Sequence, residues 1–334
     1  MRISFFSTKP YDRTFFDAAN RVCGHELLYL EPRLTLDTVQ LAKDSPVICA
    51  FVNDQLDGPV LAQLARGGTR MVALRSSGYN HVDLRVAAQL GVTVVHVPRY
   101  SPHAVAEHTV ALMLALNRHV HRAYNRVREG NFTINGLLGF DFYGKTVGVV
   151  GAGRIGLCVA RIMAGFGCRV LISDPAPSGE ALSSGFTLCD IDTLLSESDA
   201  VTLQCPLTEQ TRHMINRESI QRMRRGVMLI NTSRGGLIDT RAAIDGLLEG
   251  RIGYLGIDVY EEEAALFYED YSDVIVKDEV FSRLLTLPNV LVTAHQAFFT
   301  EEALITISET TLASVSDFAA ERTCRYALPP AHLK

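Results

Sequence analysis

TVGVVGAGRIG, residues 146–156, joins a β-branched run to glycines at 151, 153 and 156, and a helical pattern begins near Ile155. That is the G-x-G-x-x-G spacing of a strand-to-helix turn. The first glycine permits the tight turn, the second lets backbone approach a pyrophosphate, and the third lets the helix pack on the strand. The helix N-terminus supplies unpaired N–H groups to the anion. Glycines are common in such turns, so the spacing alone is weak. The next strand, RVLIS, strengthens it by ending at Asp174, eighteen residues after Gly156. A carboxylate there accepts hydrogen bonds from an adenosine ribose diol and repels a 2′-phosphate, which predicts NAD rather than NADP. The plain alternative is that Asp174-Pro175 only opens a turn.

Outward from this unit the same alternation fills the chain. On its N-terminal side the β-rich runs ISFFS, HELLYL, PVICAFV, MVALRSS and VTVVHV are each separated by one helix-sized segment. On its C-terminal side follow AVTLQC, GVMLINTS, GYLGIDV and NVLVTA. Strands spaced this way imply right-handed crossovers and parallel sheets covered by helices. Between the two series, residues 102–129 read as one long helix, with Pro102 in its first turn and Gly130 after its end. A last helical stretch, 301–321, could return to the first unit. The expected fold is therefore α/β with two parallel-sheet domains. Residues 1–100 and 299–334 form a discontinuous N-terminal domain and residues 101–298 the nucleotide domain, with the ligand in an interdomain cleft.

The bulk properties exclude several classes. With 334 residues and 47% hydrophobic content the chain can bury a large core, and its length suggests about two domains. A net charge of -5, without runs of Lys and Arg, argues against nucleic acid. No apolar run approaches the roughly twenty residues of a membrane span, and the N-terminus lacks signal-peptide character. The seven cysteines are scattered singly, as expected of reduced thiols in a cytoplasmic protein rather than of a zinc site. His103 and His108 stand five apart and His119 and His121 two apart, neither with a nearby acid at metal-ligand spacing, so no metal is expected.

The last strands of the nucleotide domain each run into a residue suited to chemistry. GVMLINTS leads to Arg234, GYLGIDV to Glu261, Glu262 and Glu263, and NVLVT to His295. In an open parallel sheet ligands bind beyond the carboxyl ends of the strands, so all of these could reach one edge. Arginine offers a permanently charged fork for a carboxylate. Histidine exchanges protons near neutral pH, and a neighbouring carboxylate favours its charged form. The combination describes a site for an anionic carbonyl compound. Singly, Arg234 could be a turn residue, the glutamates a solvated loop and His295 a core histidine; spacing alone leaves the choice among the three glutamates open.

The segments LRSSGYNHVDL, PRYSPHAVAEHTVALML, CPLTEQT, INTSRGGLID, GIDVYEEE and TAHQAFFTEEAL, together with the glycine turn, resemble the D-isomer-specific 2-hydroxy acid dehydrogenases, most closely their NAD-dependent D-lactate branch. The resemblance covers nearly the whole chain. It implies two Rossmann-like domains, the first flavodoxin-like, and a homodimer or homotetramer built through the region after Pro102. It implies that Arg234 binds the substrate carboxylate, that Glu263 orients and charges His295, and that His295 is the acid–base. The family pattern Asp-Val-Tyr-x-x-Glu, which begins at Asp258, selects Glu263. Arg154 and Ile155 would touch the pyrophosphate, Cys205, Pro206 and Thr211 would line the adenosine side, and Thr232, Ser233 and Asp258 would lie toward the nicotinamide. Backbone around Ser77 and Gly78 and the Tyr100 hydroxyl would meet the substrate carboxylate. Apart from the resemblance, the position of Phe298 and Phe299, where the chain leaves the nucleotide domain, suggests an apolar wall for a short side chain. Cys205 and Ser173 depart from the residues usual in relatives. The activity implied is reversible reduction of pyruvate to D-lactate. The alternatives are another 2-keto acid such as hydroxypyruvate, glyoxylate or phenylpyruvate, or an NADH-sensing co-repressor that binds without turnover.

Overall fold

The computed structural model describes residues 1–329. It contains two compact units, one formed by Met1–Ser101 and the chain from Phe299 onward, the other by Pro102–Phe298.

The first unit holds β1 (Arg2–Phe5), β2 (Glu26–Tyr29), β3 (Val47–Ala50), β4 (Met71–Leu74) and β5 (Thr93–Val95). They form one parallel sheet in the order β2-β1-β3-β4-β5. This is the flavodoxin-type order. β3 and β4 are buried along their whole length, as their unbroken apolar sequences require of central strands. The helix Glu301–Ala319 packs on the helix Pro10–Cys23, so the end of the chain completes this unit.

The second unit holds β6 (Thr146–Val150), β7 (Arg169–Ser173), β8 (Thr187–Leu188), β9 (Ala200–Leu203), β10 (Val227–Asn231), β11 (Ile252–Ile257) and β12 (Val290–Val292). The sheet is parallel in the order β12-β11-β10-β9-β6-β7-β8. Counted from β6, this is the doubly wound dinucleotide order with one added strand at the far edge, and the order reverses between β6 and β9. β8 went unforeseen: two exposed residues at the sheet edge carry almost no pattern.

The stretch 102–129 corrects the expectation of a single helix. It breaks into helices Pro102–Arg118 and Val120–Arg128 at His119, which takes a left-handed conformation with φ 51°. The break is anchored on both sides. The Asn117 amide donates to the Phe140 carbonyl at 2.7 Å and accepts from the Phe140 amide at 2.8 Å, and the buried His119 ring lies 6.2 Å from that of Tyr254. The first helix buries Leu112, Met113 and Leu116, whereas the second buries no residue.

Candidate active site

The reversal of strand order puts the turn after β6 beside the turn after β9, and contact there is close. Gly151 has φ 103°, and a Cβ on it would lie 2.6 Å from the Gln204 carbonyl oxygen. A Cβ on Gly156 would overlap the Gly151 carbonyl oxygen, so the helix Arg154–Gly165 rests directly on the turn. Gly153, by contrast, has nothing within 4 Å of a built Cβ, and no side chain caps the helix that it begins. An open glycine at an uncapped helix N-terminus is what an anion drawn onto backbone amides requires. Asp174 is fixed at the same place, its Oδ2 accepting from the Ala152 amide at 2.7 Å and its Oδ1 from the Ala176 amide at 2.8 Å. Each oxygen keeps a lone pair for a ribose hydroxyl. These residues fit the pyrophosphate and adenosine ribose of NAD.

Around this turn the other expected cofactor residues divide. Arg154 is exposed and Ile155 half-buried at the start of the helix. After β9, Pro206 is exposed and its carbonyl accepts from the Thr211 hydroxyl at 2.7 Å, while Cys205 is buried, with its thiol pushed up to about 11 by that burial. The Thr232 hydroxyl meets those of Thr109 at 2.7 Å and, through the amide of Gln204 at 3.1 Å, the end of β9; Ser233 Oγ donates to the Cys205 carbonyl at 2.6 Å. Thr232 and Ser233 thus knit the ends of β9 and β10 together with their side chains.

β10, β11 and β12 are consecutive neighbours, and Arg234, Glu263 and His295 all follow their carboxyl ends. Arg234 Nη1 donates to the Ser233 carbonyl at 2.6 Å, and its own carbonyl accepts from Asn231 Nδ2 at 2.8 Å. A Cβ on Gly235 would overlap the Tyr260 carbonyl and the Glu261 nitrogen, so the Arg234 turn lies flush on the segment that follows β11.

The three adjacent glutamates separate. Glu262 is exposed; Glu261 turns to His213 and Thr240. Glu263 turns to the histidine, with Oε1 2.8 Å from His295 Nδ1 and Oε2 accepting the Tyr260 amide at 2.9 Å. With Nδ1–H donated to Glu263, Nε2 is the ring atom left to exchange a proton.

His295 stands in left-handed backbone at φ 51°, a conformation that costs a non-glycine residue energy and needs surrounding support. Its amide donates to the Asp258 carbonyl at 2.7 Å, and its carbonyl accepts from the Tyr268 hydroxyl at 3.0 Å. The Asp258 carboxylate, fully buried, accepts from the Thr293 hydroxyl at 2.5 Å and from the amides of Gln296 and Ala297 at 2.9 Å each, with His108 Nε2 at 3.4 Å. Burial works to raise its pKa, but these donors outweigh it and hold the carboxyl below its usual range. Asp258 therefore shapes the histidine turn. Tyr268 and His108 were not singled out as supports in the sequence, since both act across long separations that no local pattern records.

Ser77, Gly78 and Tyr100 belong to the first unit, after β4 and β5, where the Ser77 carbonyl lies 2.9 Å from His96 Nδ1 and the Gly78 carbonyl accepts from Ser76 Oγ at 2.9 Å. Phe299 opens that unit's last segment and packs edge-on against Tyr11 with ring centroids 4.8 Å apart.

Residues 110–297 match the model of the D-isomer specific 2-hydroxyacid dehydrogenase NAD binding domain. The chain is 52% identical over 333 residues to 2-hydroxyacid dehydrogenase A of Aspergillus oryzae, covering 98% of this chain and 95% of the relative. It is 48% identical over 324 residues to D-lactate dehydrogenase of Escherichia coli, covering 97% and 98%. Among solved structures, the apo form of D-lactate dehydrogenase from Escherichia coli superposes with a TM-score of 0.90 at 46% identity, covering 98% of this chain and all of that one. The pyruvate reductase of Chlamydomonas reinhardtii superposes with 0.92 at 46% identity, covering 97% and 98%. With its open glycine turn, its Asp174 beside that turn and its His295–Glu263 pair, the chain belongs to the D-isomer-specific 2-hydroxyacid dehydrogenases, oxidoreductases that use NAD.

Proposed function

We propose that the protein interconverts pyruvate and D-lactate with NADH and NAD. The observation that carries this is the contact between His295 and Glu263, which follow β12 and β11, the next two strands in the sheet after the Arg234 strand β10. Held by the glycine turn and Asp174, NADH would supply a hydride for the carbonyl carbon. The Arg234 guanidinium binds the substrate carboxylate through a planar two-pronged contact and polarises the adjacent carbonyl. Glu263 keeps Nδ1 of His295 protonated and stabilises the charged ring, and Nε2 gives its proton to the carbonyl oxygen. In oxidation the neutral ring takes that proton back. Asp174 holds the ribose diol and disfavours NADPH. Thr232, Ser233 and Asp258 serve the nicotinamide end, Cys205, Pro206 and Thr211 the adenosine side, and Ser77, Gly78 and Tyr100 the substrate carboxylate.

Pyruvate is favoured over bulkier keto acids by the named activities of the relatives from Escherichia coli and Chlamydomonas reinhardtii, and by an Aquifex aeolicus D-lactate dehydrogenase structure complexed with NAD and lactic acid, 33% identical. NADH oxidation measured with pyruvate, hydroxypyruvate, glyoxylate and phenylpyruvate, with NADPH as control, should give the highest kcat/KM for pyruvate and little turnover with NADPH. A higher value for any other acid would reassign the substrate. NADH binding without turnover on any of them would favour the sensor reading.

The helix Val120–Arg128 and the segment after it expose Val120, Tyr124, Val127, Phe132, Ile134 and Leu138. That apolar surface supports a homodimer, or a tetramer built from it; a monomer in sedimentation at micromolar concentration would contradict this. The cysteines, all free thiols, support a reducing, cytoplasmic setting. No helix among the described residues is long and apolar enough to cross a membrane.

A further inference from the structure

The segment that carries Glu263 also carries a second histidine–glutamate pair. His213 Nε2 lies 2.5 Å from Glu261 Oε1, and Glu261 Oε2 accepts from both the hydroxyl and the amide of Thr240, at 2.8 and 3.2 Å. His213 itself sits in left-handed backbone at φ 50°, donates its amide to the Gly236 carbonyl at 2.8 Å and receives Asn216 Nδ2 on its own carbonyl at 3.0 Å. One carboxylate thus joins three stretches that are far apart in sequence: the loop after β9, the turn after β10 and the segment after β11.

Arg234 and Glu263, the carboxylate that holds His295, both leave from stretches that Glu261 ties. Arg234 precedes Gly235, which has no room for a Cβ against Tyr260, and Glu263 lies two residues beyond Glu261. We propose that His213 and Glu261 are a positioning pair that holds the Arg234 turn against the Glu263 segment, and so fixes the guanidinium relative to the His295 proton. The proposal rests on the assignment of Arg234 to the substrate carboxylate. Neither residue of the pair touches reacting atoms. Their side chains are 36% and 20% exposed, and an ion pair that far into solvent adds little to global stability. Its consequence is geometric, and a misplacement of about 1 Å in a reacting group can cost roughly a hundredfold in rate.

The test compares wild type, His213→Leu, His213→Gln, Arg234→Lys and the His213→Leu/Arg234→Lys double variant. The readouts are KM and kcat for pyruvate, affinity for oxamate in the NADH complex, NADH affinity and Tm. His213→Leu should weaken both pyruvate KM and oxamate affinity about tenfold, with NADH affinity within about twofold and Tm nearly unchanged, as expected for a disturbed charge-assisted contact to substrate. His213→Gln, which can still donate to Glu261, should recover most of the loss. In the Arg234→Lys background the same leucine change should cost less than about threefold, because coupled residues are not additive. Equal factors in the two backgrounds, an unaltered oxamate affinity, or a loss that follows Tm or NADH affinity would overturn the positioning role. If the leucine variant does not fold, Glu261→Gln takes its place: it keeps an acceptor for Thr240 but removes the charge, and should weaken oxamate binding in the same Arg234-dependent way. Wild-type enzyme that neither reduces pyruvate nor binds oxamate would overturn the Arg234 assignment itself, and the pair with it.

Discussion

His295→Gln is expected to lower kcat for 2-keto acid reduction by about 10²–10⁴-fold, the contribution typical of a positioned general acid. NADH affinity should be unchanged, since the glycine turn and Asp174 lie on other strands of the sheet. The glutamine can fill part of the space and reach Glu263, but it has no proton to give. Full activity would remove His295 from the mechanism. Under the proposed mechanism both directions pass through the same ring, so the glutamine variant should lose reduction and oxidation alike.

Arg234→Lys should lower kcat/KM for the keto acid by about 30- to 160-fold, from the roughly 2–3 kcal/mol of hydrogen bonding to a charged partner. Lysine preserves the charge but not the planar fork. Its ammonium would also leave the Ser233 carbonyl without the 2.6 Å donor that now orients the side chain. Steady-state kinetics with pyruvate, together with an NADH titration that should not move, checks this; an unchanged kcat/KM would mean that the carboxylate is held elsewhere.

The parallel sheets, the order of events around the glycine turn and the delivery of Arg234, a run of three glutamates and His295 to one sheet edge were legible because each follows from local periodicity and from where parallel strands end. What escaped depends on contacts between distant residues. The helix over 102–129 looks continuous because nothing local to His119 announces a left-handed residue; the break rests on Asn117 reaching Phe140 and on packing against Tyr254. The run of three glutamates gave no internal reason to choose among them. Their different partners, His213 and Thr240 for Glu261 and His295 for Glu263, lie 48, 21 and 32 residues away in sequence. Asp258 was placed by resemblance, but its part in shaping the His295 turn, shared with Tyr268, needed the structure.

Hydride transfer from NADH to a 2-keto acid with D stereochemistry is checked by incubating purified protein with pyruvate and NADH and resolving the product on a chiral column. Stoichiometric loss of NADH with formation of D-lactate alone is expected; L-lactate, a racemate, or no NADH oxidation would rule the proposed reaction out.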